Sequence, residues 1–334
     1  MRLVELGPDD LSDLDDFVRV ARESAVVDAP WLRPLTRHRL QMEMRHGWDG
    51  EVGRYFLARV EDEVVGTVDY FGSEYDNPDV VWVESQIAPA HRGQGLGRLL
   101  VAEVEGLARA DRRPVVTIGA WNSPAARTLG AACGYRLGSV GVHRVLALDG
   151  SGEESLRFAR FRDAAAEKAD GYRILRIDGL TPDALLEGVV RATEAINDSP
   201  LDDLEYGDEV YDVSRVRAYE QAQLDSGYRF RRVVALAPVT GEVVGHTVVS
   251  VDAEQPSHGE QHDTAVVPEH RGHSLGLLLK SEMLCWLAEE EPGLRSVHTS
   301  NAGSNAHMIA VNERLGYAVA GERLLLQRRV GLDQ

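Results

Sequence analysis

The chain is poor in lysine, cysteine and aromatic residues, and its few cysteines and its deficit of positive charge each remove a class of function. Of 334 residues only Lys168 and Lys280 are lysines, and aromatic residues make up 6%. Arginine carries nearly all the positive charge. The 36 basic side chains face 54 acidic ones, for a formal net charge of −18. A sequence-independent grip on nucleic acid needs a basic face, so no nucleic-acid partner is expected. The two cysteines, Cys133 and Cys285, fall in different halves without C-x-x-C spacing. That argues against a disulfide framework or a cysteine zinc site. No apolar run reaches the ~18–20 residues of a membrane span. The opening MRLVELGPDDLSDLDD lacks the basic-then-apolar layout of a secretory signal. A cytoplasmic protein with no membrane partner is expected.

What is present is ordinary for a globular chain, with 43% hydrophobic and 27% charged residues. A single core stops growing near ~250–300 residues, so this length predicts two domains. The sequence also repeats itself. IAPAHRGQGLGRLLVAEVEGLA begins at Ile87, and VVPEHRGHSLGLLLKSEMLCWLA begins at Val266. Each reads as a strand end, a proline, HRGxxLG and an amphipathic helix. Downstream, Trp121–Tyr135 and Ser304–Tyr317 are both Asn-containing runs ending in Gly-Tyr. The period of roughly 180 residues is too long for a solenoid and predicts a duplicated domain. The expected boundaries are 1–150, a linker at 151–170 that is helical or flexible, and 171–334. Thr181 is expected to cap a helix with Pro182 at its first position.

The first half predicts a strand near Leu3 and helices near Asp10–Ser24 and Arg37–Met44. Three strands follow in YFLARV, VVGTVDYF and VVWVESQIA. Then come helix Leu96–Ala110, strand PVVTIGAW, helix Ala125–Cys133 and two short strands. The second half predicts strands in YRFRRVVALA, EVVGHTVVSV and QHDTAVV, helix Leu275–Glu290 and strand SVHTSN. Helix Ala306–Arg314 and two strands, YAVAG and RLLLQRR, close it. Strand meanders interrupted by helices predict an α+β, or mixed α/β, fold.

The turn Arg92-Gly93-Gln94-Gly95-Leu96-Gly97 follows an apolar strand and opens a helix. Backbone N–H groups at a helix start lack intrahelical acceptors, and the dipole there favours anions. Glycines let the backbone approach a ligand and form an anion-binding hollow. A diphosphate suits such a turn; a tight connection without ligand is the alternative. No Gly-Lys-Ser/Thr is present, and no ribose-reading acid follows at dinucleotide spacing.

Arg92-x-x-Gly95-x-Gly97 after Ile87-x-Pro89 resembles the acetyl-CoA diphosphate motif of the GNAT superfamily of N-acetyltransferases. The Asn-and-Ala helix ending in Gly-Tyr resembles the family's next motif. The likeness covers both halves, a tandem arrangement similar to that of mycothiol synthase. It implies two domains, each with a splayed, mainly antiparallel mixed sheet. It also implies acetyl-CoA as co-substrate and direct attack by a small-molecule amine, in a monomer or homodimer. The cofactor would bond like a strand to the backbone around Ile87 and Ala88, or Val266 and Val267. Its diphosphate would lie on the turn of Arg92, Gly93, Gln94, Gly95, Leu96, Gly97 and Arg98. In the second half the turn is Arg271, Gly272, His273, Ser274, Leu275 and Gly276, with Ser274 in place of a glycine. Asn122 and Asn305 would be cofactor-side asparagines.

Direct transfer needs a route for the proton of an alkylammonium, because only the free amine attacks. On the strand GEQHDTAV, alternation places Glu260, His262 and Thr264 on one face. Glu260 and His262 lie at offsets before Arg271 that resemble base positions in the family. Val81 and Val83 stand there in the first half, where Glu84 instead matches Asp263. Glu260, His262 and Glu84 are the candidate bases; a solvated strand residue is the plain alternative for each. Many family members carry a tyrosine acid four residues before the Gly-aromatic pair. Here Asn312 and Gly130 stand in its place, and Asn312 is a candidate contact to the sulfur. Acceptor pockets in the family imply Trp31–Trp48 and Asn197–Tyr211. The latter holds Asp198, Asp202, Asp203, Glu205 and Asp208, which suits a cationic amine as well as a solvated loop. No metal is expected, since a strand does not gather His258 and His262 around an ion.

Overall fold

The structure, a computed structural model, describes residues 1–331. The strands are β1 (Arg2–Glu5), β2 (Arg54–Val60), β3 (Glu63–Phe71), β4 (Val80–Ile87), β5 (Val115–Trp121), β6 (Arg136–Ala147), β7 (Arg173–Asp178), β8 (Tyr228–Leu236), β9 (Val243–Asp252), β10 (His258–Val266), β11 (Ser296–Ala302) and β12 (Ala318–Arg329). The helices are α1 (Leu11–Asp28), α2 (Arg37–His46), α3 (Leu96–Ala110), α4 (Pro124–Ala132), α5 (Gly152–Ala166), α6 (Asp183–Glu194), α7 (Val213–Asp225), α8 (Leu275–Glu290) and α9 (Ala306–Leu315).

The chain divides into two compact units. Unit 1 comprises Met1–Val142, Leu201–Asp208 and the segment from Gly321 onward; unit 2 comprises His143–Pro200 and Glu209–Ala320. Strand β6 belongs to unit 1 through Val142 and to unit 2 from His143.

The sheet of unit 1 runs β1-β2-β3-β4-β5-β12. The pair β4–β5 is parallel, while β1–β2, β2–β3, β3–β4 and β5–β12 are antiparallel. Alternate side chains of β2 feed opposite faces, as strand geometry requires. Phe56 and Ala58 join Leu100 and Val104 of α3 in one core, while Leu57 joins Leu14, Phe17 and Leu40 of α1 and α2 in another. Strand β12, which lies between β5 and the unit 1 part of β6, comes from the second half of the sequence, so the sequence halves and the compact units differ there.

Unit 2 repeats the plan with the order β11-β10-β9-β8-β7, again with one parallel pair, β10–β11. Val233 and Ala235 of β8 face α8 and α5; Val234 and Leu236 face α6 and α7. The stretch expected as a linker is α5, whose Phe158 and Ala165 are buried in this core.

Both helices that follow the glycine turns have the bounds predicted from sequence. Other elements differ. The paired short strands expected at the end of each half are single twelve-residue strands, β6 and β12. Their interior glycines are not turn glycines. A Cβ at Gly138 would strike Leu204, and one at Gly321 would strike the ring of Trp31. Strand β7 and helix α7 were not foreseen. Thr181 does not cap α6, which starts at Asp183; its hydroxyl donates to Glu220 at 2.6 Å instead.

Candidate active site

In each unit the central parallel strands separate partway along. The β4–β5 ladder ends at Glu84 and Gly119, leaving Ser85–Ile87 of β4 beyond it. The β10–β11 ladder ends earlier, at Glu260 and His298, and leaves Gln261–Val266 beyond it. The parted edge is thus longer in unit 2. Backbone groups along such an edge are a template for pairing with an extended ligand. Both edges lead to a glycine turn and then to a helix N-terminus.

The turn of unit 1 holds Gly93 at φ 77° and Gly95 at φ 82°, the left-handed region that favours glycine. A Cβ at either would meet nothing within 4 Å, so no protein atom fills the hollow above the turn. Gly97 has another duty, since its missing Cβ admits Leu129 of α4. In unit 2, Gly272 and Ser274 occupy the same left-handed region, at φ 86° and 59°. A serine adopts that conformation at a cost of roughly 1 kcal/mol or more. The Ser274 side chain makes no capping bond to α8.

Arg92 and Arg271 brace the turns in the same manner. Arg92 donates from Nε to the carbonyl of Ile87 and forks onto both oxygens of Asp28 at the end of α1 (2.9 and 2.7 Å). Arg271 donates from Nε to the carbonyl of Val266 (2.9 Å) and pairs with Asp198 at 2.5 Å. Their guanidinium groups are committed to the protein, so anion binding falls to the backbone N–H groups that follow. Arg98, Gln94 and His273 are exposed on the turns; Leu96 and Leu275 anchor the helix starts in the cores.

Strand β10 carries a bulge that reorganises the predicted face. Gln261 pairs with Val249 while Thr264 pairs with Thr247, so β10 has one residue more than β9. Thr264 therefore leaves the face of Glu260 and His262. It meets the Thr247 hydroxyl at 2.7 Å, which Gln261 also reaches at 2.9 Å. Glu260 is exposed and lies beside Ser250 on β9 and His298 on β11. His262 bonds from Nδ1 to the Tyr219 hydroxyl of α7, and from Nε2 to Ser250 Oγ at 2.8 Å. Burial, and secondarily the charge of Arg232, push this imidazole down to about 3, so it rests neutral. Burial and Glu209 push neighbouring Asp263 up to about 6 against the pull of Arg232. Arg232 itself is fully buried on Glu220 and Thr181 at 2.8 and 2.9 Å.

In unit 1, Glu84 is ion-paired with Arg323 of β12. Arg323 lies over the Trp121 ring, which meets Trp31 edge-on with centroids 5.3 Å apart. Asp69 is the cross-strand neighbour of Glu84, and burial pushes its carboxyl up to about 7.

The asparagines are occupied inside the protein. Asn122 donates to Glu322 at 2.6 Å and accepts from Arg127 at 2.8 Å. Asn305 caps α9 through the Met308 N–H. Asn312 is fully buried and donates to Asn301 at 2.7 Å, which turns its amide inward. The acidic stretch expected to line an acceptor pocket is also largely committed. Its residues Leu201–Asp208 belong to unit 1, where Glu205 pairs with Arg136 and Arg329 and Asp202 accepts from Ser139.

Sequence reasoning missed Asp69, Arg323, Tyr219, His143 and His298. They come from segments distant in the chain, and no local pattern marks them. Among the described residues, no helix is long and apolar enough to cross a membrane.

Comparison with known proteins accords with this geometry. The family model described as acetyltransferase (GNAT) family matches twice, at residues 20–135 and 194–317. No curated protein matches. Among solved structures, a tandem GNAT protein from the clavulanic acid biosynthesis pathway superposes with a TM-score of 0.80 at 25% identity, covering 100% of this chain and 99% of its own. A GCN5-related N-acetyltransferase from Sphaerobacter thermophilus gives 0.69 at 18% identity, covering 100% and 97%. A putative acetyltransferase from Pyrococcus horikoshii gives 0.55 at 13%, covering 100% and 90%. The last two show a shared fold.

Proposed function

The chain belongs to the acetyltransferase (GNAT) family, whose members use acyl-CoA as co-substrate, and from that premise we propose that it transfers an acetyl group from acetyl-CoA directly to the primary amine of a small cationic molecule, with the chemistry in unit 2. The observation that carries this reading is the position of Glu260. It is the last residue of β10 that pairs with β11, it is exposed, and it stands at the head of the longer parted edge. The pantetheine arm would pair along Gln261–Val267, and the diphosphate would rest on the N–H groups of Gly272–Gly276. The turn of Gly93–Gly97 is a second cofactor site of the same kind.

Only the free amine attacks a thioester. Its C–N bond forms as the C–S bond breaks, sulfur leaves as thiolate, and the surplus proton must go to a base. An exposed carboxylate can take it. His262 cannot hold a proton near neutrality, because burial keeps the ring neutral down to about 3; it orients Tyr219 and Ser250 instead. Glu84 is neutralised by Arg323. Glu260, Asp263 and Glu209 make the surroundings acidic, which favours an ammonium-bearing acceptor.

The test is thiol release from acetyl-CoA with a polyamine, an aminoglycoside, an amino sugar and an α-amino acid. Glu260→Gln is expected to lower kcat by about 10²–10⁴-fold, with Glu84→Gln near the parent. The opposite result moves the chemistry to unit 1. Acetyl-CoA binding by calorimetry without turnover of any amine would leave a binding module, which the missing tyrosines would favour.

A further inference from the structure

Unit 2 contains a continuous chain of hydrogen bonds that the proposed reaction does not yet use. Ser300 Oγ lies 3.1 Å from Nδ1 of His143, and Nε2 of His143 lies 3.1 Å from Nδ1 of His298. Nε2 of His298 lies 3.0 Å from Ser296 Oγ. The rings stand 5.3 Å apart, tilted by 49°, and His258 stacks on His298 at 5.6 Å. Both imidazoles are buried, Ser300 is exposed and Ser296 is half-buried.

The placement matters as much as the bonds. His298 is the last rung of the β10–β11 ladder, directly across from Glu260. Ser300 lies two residues further, on the part of β11 where the strands have separated. The chain thus begins in the opening beside the candidate base and ends at the start of β11.

We infer that Ser300, His143, His298 and Ser296 form a proton wire that carries the acceptor amine's proton away from the parted strands. The inference rests on the chemistry being in unit 2. Each neutral imidazole has one N–H and one acceptor nitrogen, so all three bonds can be satisfied with the same polarity. The amine's proton passes to Glu260 and, through water, to Ser300 Oγ. Ser300 gives its own proton to Nδ1 of His143, and the Nε2 proton of His143 moves to Nδ1 of His298. The Nε2 proton of His298 moves to Ser296, which releases its own to solvent. Each residue gains one proton and gives up one, each imidazole ends neutral with its proton on Nδ1, and Glu260 is again a carboxylate. Burial holds His143 neutral down to about 4, which suits a relay that does not store charge.

The test uses the full chain, acetyl-CoA and whichever amine of the panel turns over fastest. In His143→Gln the amide keeps a donor and an acceptor but cannot relay. It is expected to lower kcat by about 10–100-fold, with the KM for the amine and the affinity for acetyl-CoA unchanged. His143→Ala is expected to show the same loss, with kcat partly restored by free imidazole. A kcat within twofold of the parent in His143→Gln, while Glu260→Gln is inactive, overturns the wire and leaves the proposed function standing. A loss of kcat accompanied by a matching rise in KM and no imidazole rescue makes His143 structural and also overturns it. No turnover with any amine removes the proposed function and the wire together.

Discussion

Glu84 of β4 and Arg323 of β12 form an ion pair over Gly119 of β5, at the last rung before β4 and β5 separate. A Cβ at Gly119 would collide with both side chains. The strand that supplies Arg323 also pairs with β5 from Arg323 to Arg329. Strand β12 therefore contributes to the charge at the opening of unit 1.

Arg323 also acts on Asp69, the cross-strand neighbour of Glu84. Burial raises its carboxyl to about 7, Glu43 adds to the shift, and Arg323 opposes it. Removing the opposing cation disfavours the carboxylate further. Arg323→Met is expected to move the Asp69 midpoint upward from about 7. Carbon-detected NMR titration of the aspartate carboxyls checks this; an unchanged or lower midpoint would show that Arg323 does not act on Asp69.

Gly321 lies inside β12, where an added methyl would overlap the Trp31 ring. Trp31 is fixed in turn by its edge-on contact with Trp121. Gly321→Ala is expected to destabilise the protein by about 1–3 kcal/mol through overpacking. The double variant Gly321→Ala/Trp31→Ala should cost less than the sum of the single changes. Urea unfolding of the four proteins gives the coupling, and strict additivity would contradict the close approach.

The same glycines show what the sequence hides. Glycine reads as punctuation, so Gly138 and Gly321 split long strands in a sequence reading. In the fold they mark close approach, because Leu204 and Trp31 come from elsewhere in the chain. Where a glycine does act locally, at Gly95, the helix after it has the predicted bounds. The two glycine turns and the strand position of Glu260 were legible because strand, turn and helix are consecutive. The bulge at β10 was not, since it depends on pairing with β9, and it moved Thr264 to the other face. Nor were Arg323, His143 and Tyr219, whose partners lie far along the chain.

Lys280 is the only lysine inside a core. It sits on α8 where α3 has Val101, with Nζ 5.0 Å from the centre of the Tyr317 ring. Burial lowers its amine from 10.5 to about 7. The unfolded chain binds this proton more tightly than the folded one, so the lysine costs stability as pH falls from 10.5 towards 7. The cost is full below about 7 and vanishes above 10.5. Lys280→Met is expected to stabilise the protein by about 1–4 kcal/mol at pH 7, with the gain shrinking as pH rises towards 10. Thermal unfolding of both proteins across pH 7–10 checks it. A destabilised variant at pH 7 would mean the ammonium makes a favourable contact with Tyr317 that outweighs its burial.

His246 on β9 is 1% exposed, and neither ring nitrogen has a hydrogen-bond partner among the described residues. Burial, then the charge of Arg232, lower it from 6.5 to about 3. Below pH 6.5 the unfolded chain takes up a proton that the folded chain refuses, so stability falls with pH from 6.5 down to about 3. His143 and His262 act in the same direction, being lowered to about 4 and about 3. Asp69 and Asp263, raised from 3.8 to about 7 and about 6, act oppositely over the overlapping range. The whole-protein acid profile therefore mixes two signs, and a single-site change is needed to separate them. His246→Leu removes one titration and two unpaired nitrogens. Its stability relative to the parent should rise by up to about 2 kcal/mol between pH 8 and pH 5, which is the linkage for a group that titrates at 6.5 only when unfolded. Urea unfolding at the two pH values measures that difference. An equal effect of the substitution at both would mean that His246 takes up its proton in the folded protein at the same pH as in the unfolded chain.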